Sequence, residues 1–186
     1  MGPDRVTEGC RLQPVALAEQ DARTIMAWRN DPTTRAASFD TAHRSWPEFW
    51  DEFRKRYATA GMPTPHFLIC DGIPVAYLRF DPPRTGPEDG TAEISINVAP
   101  AERGKGYGRL ALRLADDLLA ANGIARIHAL VKEDNTVSLR LFAAAGYRET
   151  GRDRIDVPGR GQPVAAVHFV RDLETAAAER KAGTGH

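Results

Sequence analysis

The sequence of 186 residues predicts one mixed α/β domain. Near the middle of the chain, two apolar runs are separated by a short turn of Asp, Gly and Pro residues, which is typical of a β-hairpin. Beyond the hairpin the pattern alternates between strand and helix. Together these patterns predict an α/β (α+β) fold in which a mixed central sheet is flanked by helices.

Both ends of the chain are expected to lie outside this domain. Residues 1–9 are polar and include glycine and proline, and residues 174–186 have no apolar periodicity. We therefore predict an N-terminal tail over 1–9, a single domain over 10–173 and a C-terminal tail over 174–186.

The first half of the domain predicts two helices and then the hairpin. Residues 21–28 have apolar side chains at helical spacing, and residues 47–57 repeat the pattern with aromatic side chains. The hairpin strands are predicted over 66–70 and 75–80, and a loop rich in proline and glycine follows over 81–90.

The second half predicts the alternation of strands and helices. The strand 91–98 places Ile94, Ile96 and Val98 on one face and Glu93, Ser95 and Asn97 on the other. A helix over 110–121 has leucines on one face and ends at Asn122-Gly123. The remaining predicted elements are a strand over 124–131, a helix over 137–145 that ends at Gly146, and a strand over 164–170.

Composition argues against several classes of function. The 25 lysines and arginines balance 25 aspartates and glutamates, so the chain lacks the positive surplus typical of proteins that bind nucleic acid or anionic membranes. No apolar run is long enough for a membrane span, and no apolar signal segment is seen near the start. We expect a soluble cytoplasmic protein.

The two cysteines predict neither a disulfide framework nor a metal site. Cys10 and Cys70 lie far apart in the sequence, without the spacing typical of zinc ligands. We expect no bound metal and a reducing cytoplasmic environment. Cys70 lies within an apolar run, so we expect it in the core rather than as an acyl-carrying nucleophile.

A glycine-rich segment before the helix at 110–121 predicts a phosphate site. Residues 103–108 read Arg-Gly-Lys-Gly-Tyr-Gly, and such a turn before a helix directs backbone N–H groups at an anion. Four cations stand against Glu102 alone in this part of the chain: Arg103, Lys105, Arg109 and Arg113. The segment is not a P-loop and is a poor match to a dinucleotide-binding fingerprint, so a different phosphate-bearing ligand is required.

Two ordered motifs make residues 92–147 resemble the GNAT N-acetyltransferases. The family signature (Arg/Gln)-x-x-Gly-x-(Gly/Ala), at a turn from strand to helix, is matched by Arg103, Gly106 and Gly108. The family pattern Asn-x-x-Ser…Tyr…Gly-Phe on the next helix corresponds to Asn135, Ser138, Phe142 and Gly146-Tyr147.

The resemblance implies a sheet splayed open beside strand 91–98, with acetyl-CoA in the gap and its pyrophosphate on loop 103–108. Backbone groups of residues 96–98 would pair with the pantetheine arm, and Asn135 would contact the cofactor from the other side. Helix capping is an equally open role for Asn135. The implied cofactor-binding residues are Ile96, Asn97, Val98, Arg103, Gly104, Lys105, Gly106, Tyr107, Gly108, Asn135, Ser138 and Phe142.

Acetyl transfer to an amine requires removal of a proton, because an amine with a pKa near ~10 is mostly ammonium at neutral pH. Glu93 is the candidate general base, since several family members place a carboxylate at this point; an ion-paired surface glutamate is the alternative. Where many family members have a tyrosine to protonate the leaving thiolate, the chain has Phe142, which cannot donate a proton. Tyr107, Tyr147 or water is left for that role, or the thiolate leaves unaided. We expect direct attack in a ternary complex.

The region before the hairpin is expected to select the acceptor. Residues 28–39, 78–81 and 92–100 resemble the acetyltransferases of amino-sugar nucleotides, closest to those of the pseudaminic acid pathway, which implies a nucleotide-linked 4-amino sugar as substrate. Arginines would bind the diphosphate and a tryptophan would stack on a base or sugar. The candidate substrate-binding residues are Trp28, Arg29, Asn30, Arg35, Trp46 and Arg79. The alternatives are that Trp28 packs in the core and Arg29 is solvated, while His43 and His66 are expected to be plain surface or turn histidines.

Other acceptors and another class of function stay open. Residues 81–93 have a surplus of acidic side chains, which favours a cationic acceptor such as an aminoglycoside or a protein N-terminus. Arg29 and Arg35 favour an anionic one. A catalytically silent acyl-CoA-binding module is the third hypothesis, motivated by Phe142. A homodimer is compatible with such folds, although no residue predicts its interface.

Overall fold

The computed structural model describes residues 9–57, 59–84, 86, 88–157 and 159–173. Seven strands form one sheet: β1 (Cys10–Pro14), β2 (His66–Cys70), β3 (Ile73–Asp81), β4 (Thr91–Val98), β5 (Arg126–Lys132), β6 (Arg148–Ile155) and β7 (Val164–Asp172). The helices in these ranges are α1 (Glu19–Asn30), α2 (Pro32–Ala37), α3 (Trp46–Arg56), α4 (Tyr107–Ala121) and α5 (Thr136–Ala144). None of these helices combines the length and the apolar character that a membrane span requires.

The sheet is mixed, as predicted. Its strand order is β1-β2-β3-β4-β5-β7-β6, and β4 with β5 is the parallel pair among otherwise antiparallel ones. The hairpin between β2 and β3 turns through Asp71 and Gly72, whose φ angles of 51° and 80° both lie in the left-handed region. Two consecutive positive φ angles are what a two-residue hairpin loop requires, which explains the Asp-Gly pair.

Side chains from the two faces of the sheet form two apolar clusters. Because side chains alternate along β2, Leu68 and Cys70 pack with α4, whereas Phe67 and Ile69 pack with α1 and α3. The sheet therefore lies between two helical layers.

The leucine face expected from the sequence, Leu110, Leu114 and Leu118, is wrong for α4 except at Leu110, because Leu114 and Leu118 are only partly buried. Leu112 and Leu119 are fully buried instead, so the core-facing side of the helix is rotated from the predicted one.

The sequence pattern missed three elements, each for a physical reason. β1 is a short edge strand of five residues, and α2 has six residues that begin at a proline and bury none of their side chains. β6 is exposed along nearly its whole length, so its side chains show no apolar alternation. Elements with little apolar surface to bury leave little periodic signal.

The expectation that the cysteines are unpaired is wrong. Cys10 lies directly opposite Cys70 in the register of β1 with β2, and the two sulfurs form a disulfide. The sequence did not predict β1, so it gave no reason to place the two residues together. Cys70 is buried, in agreement with the predicted core position. The predicted tails lie outside the described residues, except for Gly9.

Candidate active site

The parallel strands β4 and β5 are joined over a short distance only. Their register pairs Thr91 with Arg126, Ala92 with Ile127 and Glu93 with His128, and the pairing ends there. Beyond this point β4 continues against β3 to Val98, while β5 continues against β7 to Lys132. The two strands therefore separate, and a gap opens in the middle of the sheet.

A cleft of about 870 Å³ occupies this gap. Residues 94–98 of β4 form one wall and residues 130–132 of β5 form the other, with the first turns of α4 and α5 at one end. The cleft extends along the α1 and α3 face of the sheet, where it is lined by Arg29 and Tyr77 among others. One continuous cavity thus connects the glycine-rich loop with a second, more polar region.

The glycines of residues 103–108 have different roles. Gly104 and Gly106 adopt φ angles of 76° and 89°, and Gly106 is the N-cap of α4. A side chain at Gly108 would place its Cβ 3.1 Å from Leu141 Cδ2, so this glycine allows α4 to pack closely on α5. The first N–H groups of a helix have no acceptor within the helix. The loop and the start of α4 therefore form a cradle suited to phosphate oxygens.

Cations beside the cradle are held by carboxylates of the protein. Arg103 donates to Asp31 Oδ1 at 2.7 Å and to Thr34 Oγ1 at 2.6 Å, and Lys105 Nζ donates to Glu102 at 2.9 Å. The backbone N–H of Thr34, followed by the Arg103 guanidinium, lowers the pKa of Asp31. Arg109 also lines the cleft.

The short helix α2 spans the mouth of the gap. At its start, Asp31 is bound by Arg103. At its end, Lys132 Nζ donates to the carbonyl oxygen of Ala36 at 2.9 Å, and Asn135 Nδ2 donates to that of Ala37 at 3.3 Å. The helix is thus attached to both arms of the splayed sheet.

Asn135 and Ser138 begin α5. Asn135 Oδ1 accepts the backbone N–H of Ser138 at 3.1 Å, so Asn135 does cap the helix, and both residues also line the cleft. Phe142 lines the cleft as well, although it is buried and packs against Tyr147 and Phe169.

The two candidate tyrosines lie in different places. Tyr107 lines the cleft, whereas Tyr147 is buried behind it. Burial, together with the nearby Asp116 carboxylate, raises the pKa of Tyr147 above its usual value.

Glu93 lies where the gap closes, in the last pair of residues that joins β4 to β5. Its side chain is 12% exposed, and the Arg84 Nε lies 3.2 Å from its Oε1. Arg84 is 58% exposed and lines the cleft, whereas Glu93 itself is set behind the cleft wall. Glu93 is therefore ion-paired in this conformation, which is the alternative that the sequence left open.

A chain of alternating charges runs from α1 along one side of the second region of the cleft. It consists of Arg29, Asp40, Arg44, Glu52, Arg56, Asp81 and Arg79, in which each residue pairs with the next. The acidic segment at 81–93 is therefore neutralised in part, since Asp81 binds Arg79 and Glu93 binds Arg84. Burial of the phenol raises the pKa of Tyr77, which also lines this region, to about 12.

The six candidate substrate-binding residues separate into two groups. Arg29 and Arg79 line the cleft. The other four lie elsewhere: Trp28 packs edge-on against Phe67, Trp46 stacks on Trp50, Asn30 binds the backbone of Arg44, and Arg35 donates to the carbonyl oxygen of Thr41.

The sequence did not single out several residues of the cleft. Arg44, Glu52, Arg56 and Tyr57 lie on α3 or beside it and line the cleft. Glu52 and Arg56 occupy polar positions between the aromatic residues of the predicted helix at 47–57, Tyr57 is one of those aromatic residues, and Arg44 precedes the helix. Nothing in that pattern showed which layer of the sheet these residues would face. Within the described part of the chain, no group of three or more His, Cys, Asp or Glu side chains is arranged to bind a metal ion.

Comparisons with known proteins agree with this arrangement. The model of the acetyltransferase (GNAT) family matches residues 23–147. The chain is similar to phosphinothricin N-acetyltransferase of Streptomyces coelicolor, with 35% identity over 81 residues, or 43% of this chain and 47% of that protein. It is similar to L-2,4-diaminobutyric acid acetyltransferase of Nocardia farcinica, with 30% identity over 77 residues, or 41% of this chain and 37% of that protein. Each match spans less than half the length of the curated relative.

The fold is similar to that of a solved phosphinothricin acetyltransferase from Sinorhizobium meliloti in complex with acetyl-CoA. The TM-score is 0.71 and the identity is 20%, over 91% of this chain and 91% of that chain. At this level of identity the similarity concerns the fold, including the mixed sheet and its helical layers.

Proposed function

The chain belongs to the acetyltransferase (GNAT) family, and from that premise we propose that it transfers the acetyl group of acetyl-CoA to the primary amine of a small molecule that also carries an anionic group. The observation that carries the proposal is the cleft. It joins a glycine-rich phosphate cradle, a separation between β4 and β5, and a region lined by arginines in one continuous cavity.

The residues present at the cradle fit acetyl-CoA. Gly104 and Gly106 leave open space where a side chain would stand, and Arg103, Lys105 and Arg109 supply positive charge beside it. The backbone of residues 96–98 would bind the pantetheine arm, and Asn135 and Ser138 would contact it from the opposite wall. Acetyl-CoA supplies the activated thioester on which the reaction depends.

Glu93 is the proposed general base. An acceptor amine is mostly ammonium at neutral pH, so a proton must leave before the nitrogen attacks. Because Glu93 lies behind the cleft wall and is paired with Arg84, it would accept the proton through a water molecule when the exposed Arg84 side chain moves aside. Phe142 cannot protonate the leaving thiolate. Tyr107 and water are the groups proposed for that step, because Tyr147 is buried away from the cleft.

The acceptor is proposed to be a small amino acid with a second amine or acid group. Two curated relatives are named for phosphinothricin and L-2,4-diaminobutyric acid, which are compounds of this kind. The arginines of the cleft favour such an anionic acceptor over a polycation. A nucleotide-linked 4-amino sugar is the second candidate, supported by the position of Arg29, the proposed diphosphate ligand, in the lining of the cleft.

The proposal is tested by measuring CoA release over a panel of amines, with mass spectrometry of the products. The panel contains phosphinothricin, L-2,4-diaminobutyrate, a UDP-linked 4-amino sugar, an aminoglycoside and a peptide with a free N-terminus. We expect turnover of at least one anionic small molecule. Preference for the aminoglycoside or the peptide would contradict the proposed acceptor, and binding of acetyl-CoA without any turnover would favour a silent acyl-CoA-binding module.

A further inference from the structure

At one end of the chain of charges, one nitrogen of the Arg29 guanidinium has no hydrogen-bond partner among the described residues. Arg29 Nη2 donates to the carbonyl oxygen of Asp40 at 2.7 Å and lies 3.5 Å from the Asp40 carboxylate. Arg29 Nη1 is shielded from solvent and has no hydrogen-bond partner among the described residues. A buried guanidinium N–H group without an acceptor is unfavourable, so this position is suited to an acceptor atom from a ligand.

The charges of the chain do not balance. Four arginines alternate with three carboxylates, so the paired residues carry one positive charge in excess. Arg35 adds to the positive field at Arg29, but its Nε donates to the carbonyl oxygen of Thr41 and it is set outside the cleft wall. This chain of residues therefore leaves one positive charge unbalanced.

The unpartnered atom and the excess charge lie on the same residue. Arg29 lines the cleft and its side chain is 23% exposed, although Nη1 itself is shielded from solvent in this conformation. A ligand in the cleft would therefore meet the exposed part of the guanidinium first and reach Nη1 when the side chain reorients. Desolvation by burial lowers the pKa of Arg29, which an anion beside it would oppose.

We propose that the Arg29 guanidinium binds a carboxylate or phosphinate group of the acceptor and thereby selects amino acids over amines that lack such a group. The inference rests on the proposed function and narrows its acceptor class. A guanidinium pairs with a carboxylate or phosphinate oxygen through charge-assisted hydrogen bonds, and a diphosphate would bring more negative charge than the chain leaves unbalanced. Arg29 is a specificity-determining residue in this scheme and takes no part in proton transfer.

Two amines of matched structure test the proposal by kinetics. L-2,4-diaminobutyrate and 1,3-diaminopropane have the same spacing of amines and differ in the carboxylate. We expect the wild-type protein to prefer the acid by about tenfold or more in kcat/KM, and Arg29→Gln to lose that preference because kcat/KM falls further for the acid than for 1,3-diaminopropane. Arg29→Lys should retain part of the preference. Arg23→Gln, on the same helix and outside the cleft, should behave like the wild type.

An equal loss with both amines in Arg29→Gln would overturn the proposal, because it would show a structural role alone. An unchanged preference would also overturn it.

Calorimetry separates failure of this inference from failure of the proposed function. If neither amine is acetylated, the proposed function fails, but binding of L-2,4-diaminobutyrate or phosphinothricin to the protein saturated with CoA still reports on Arg29. Wild-type binding about tenfold tighter than that of Arg29→Gln would support the anion site. No binding of either acid, equal binding by both proteins, or tighter binding of UDP than of both acids would overturn it.

Discussion

Asp31 at the start of α2 accepts a hydrogen bond of 2.7 Å from Arg103, the first residue of the glycine-rich loop. The contact joins α2, which lines the cleft, to Arg103, a cation beside the phosphate cradle. A phosphate that takes the Nη2 group of Arg103 would therefore compete with Asp31. The position of α2 and the occupancy of the cradle are thus coupled through one guanidinium.

Asp31→Asn should bind CoA more tightly. Asparagine retains the side-chain oxygen that caps α2 but removes the charge that holds Arg103, so the affinity should rise about threefold to tenfold. Calorimetric titration with CoA measures the effect. Asp51→Asn, which loses a surface carboxylate paired with Lys55, is the matched control and should leave the affinity unchanged. Weaker binding by Asp31→Asn would show that the carboxylate positions Arg103 instead of competing for it.

Gly106→Ala should weaken CoA binding by distorting the cradle. The φ angle of 89° is unfavourable for alanine by about 1 kcal/mol or more. Gly123, after the other end of α4, has a φ angle of 79° and equally open surroundings, so Gly123→Ala is the matched control. Urea unfolding should show a similar loss of stability in both variants, whereas CoA affinity should fall in Gly106→Ala alone. Equal affinities of the wild type and Gly106→Ala for CoA would mean that the loop does not hold the phosphates.

Glu93→Gln should lower kcat by about 10²–10⁴ without changing the affinity for acetyl-CoA, if Glu93 accepts the amine proton. Glu88→Gln removes an exposed acid of the loop that precedes β4 and should leave the rate intact. An unchanged rate at every pH in Glu93→Gln would refute the assignment of the base.

The elements with a strong apolar period, β4 and α4, could be predicted from the sequence. The splay of the sheet was implied by the two family motifs and not by periodicity, because the point where β4 leaves β5 depends on pairing between strands. The sequence did not distinguish a core position from a cleft position for Trp28, since an aromatic residue at the end of an amphipathic helix fits either one. The contacts of α2 could not be predicted from the sequence, because they join it to Arg103, Lys132 and Asn135, which are far away in the chain.

Breaking the disulfide between Cys10 and Cys70 should destabilise the fold. The bond closes a loop with a sequence separation of 60 residues, so its loss should lower the free energy of unfolding by about 2–4 kcal/mol. Urea unfolding with and without dithiothreitol measures this difference. The double variant Cys10→Ala with Cys70→Ala should be insensitive to dithiothreitol. A wild type that is equally insensitive would argue that the thiols are unpaired in solution.

His66 should make the fold less stable in mild acid. Burial lowers the pKa of this imidazole below 6.5, although its Nδ1 donates to the carbonyl oxygen of Thr64 at 2.7 Å. As the pH falls through 6.5, the unfolded chain binds a proton at His66 before the folded chain does, so stability declines until the lower folded pKa is reached. The thermal midpoint should therefore decrease as the pH is lowered from about 7.5 to about 5.5, and it should decrease less in His66→Gln. His43→Gln replaces an exposed histidine, and its thermal midpoint should decrease as much as that of the wild type. Equal declines in all three proteins would contradict the assignment.

The central claim is that the cleft between β4 and β5 brings acetyl-CoA and a small anionic amine together. It is tested most directly by incubating the protein with acetyl-CoA and L-2,4-diaminobutyrate or phosphinothricin, and quantifying CoA and N-acetylated acid in the same sample. The account predicts equal amounts of the two products with at least one acid, and their loss in Gly106→Ala at limiting acetyl-CoA. Bound acetyl-CoA with no acetylated acid, while a polycationic amine is acetylated instead, would contradict it.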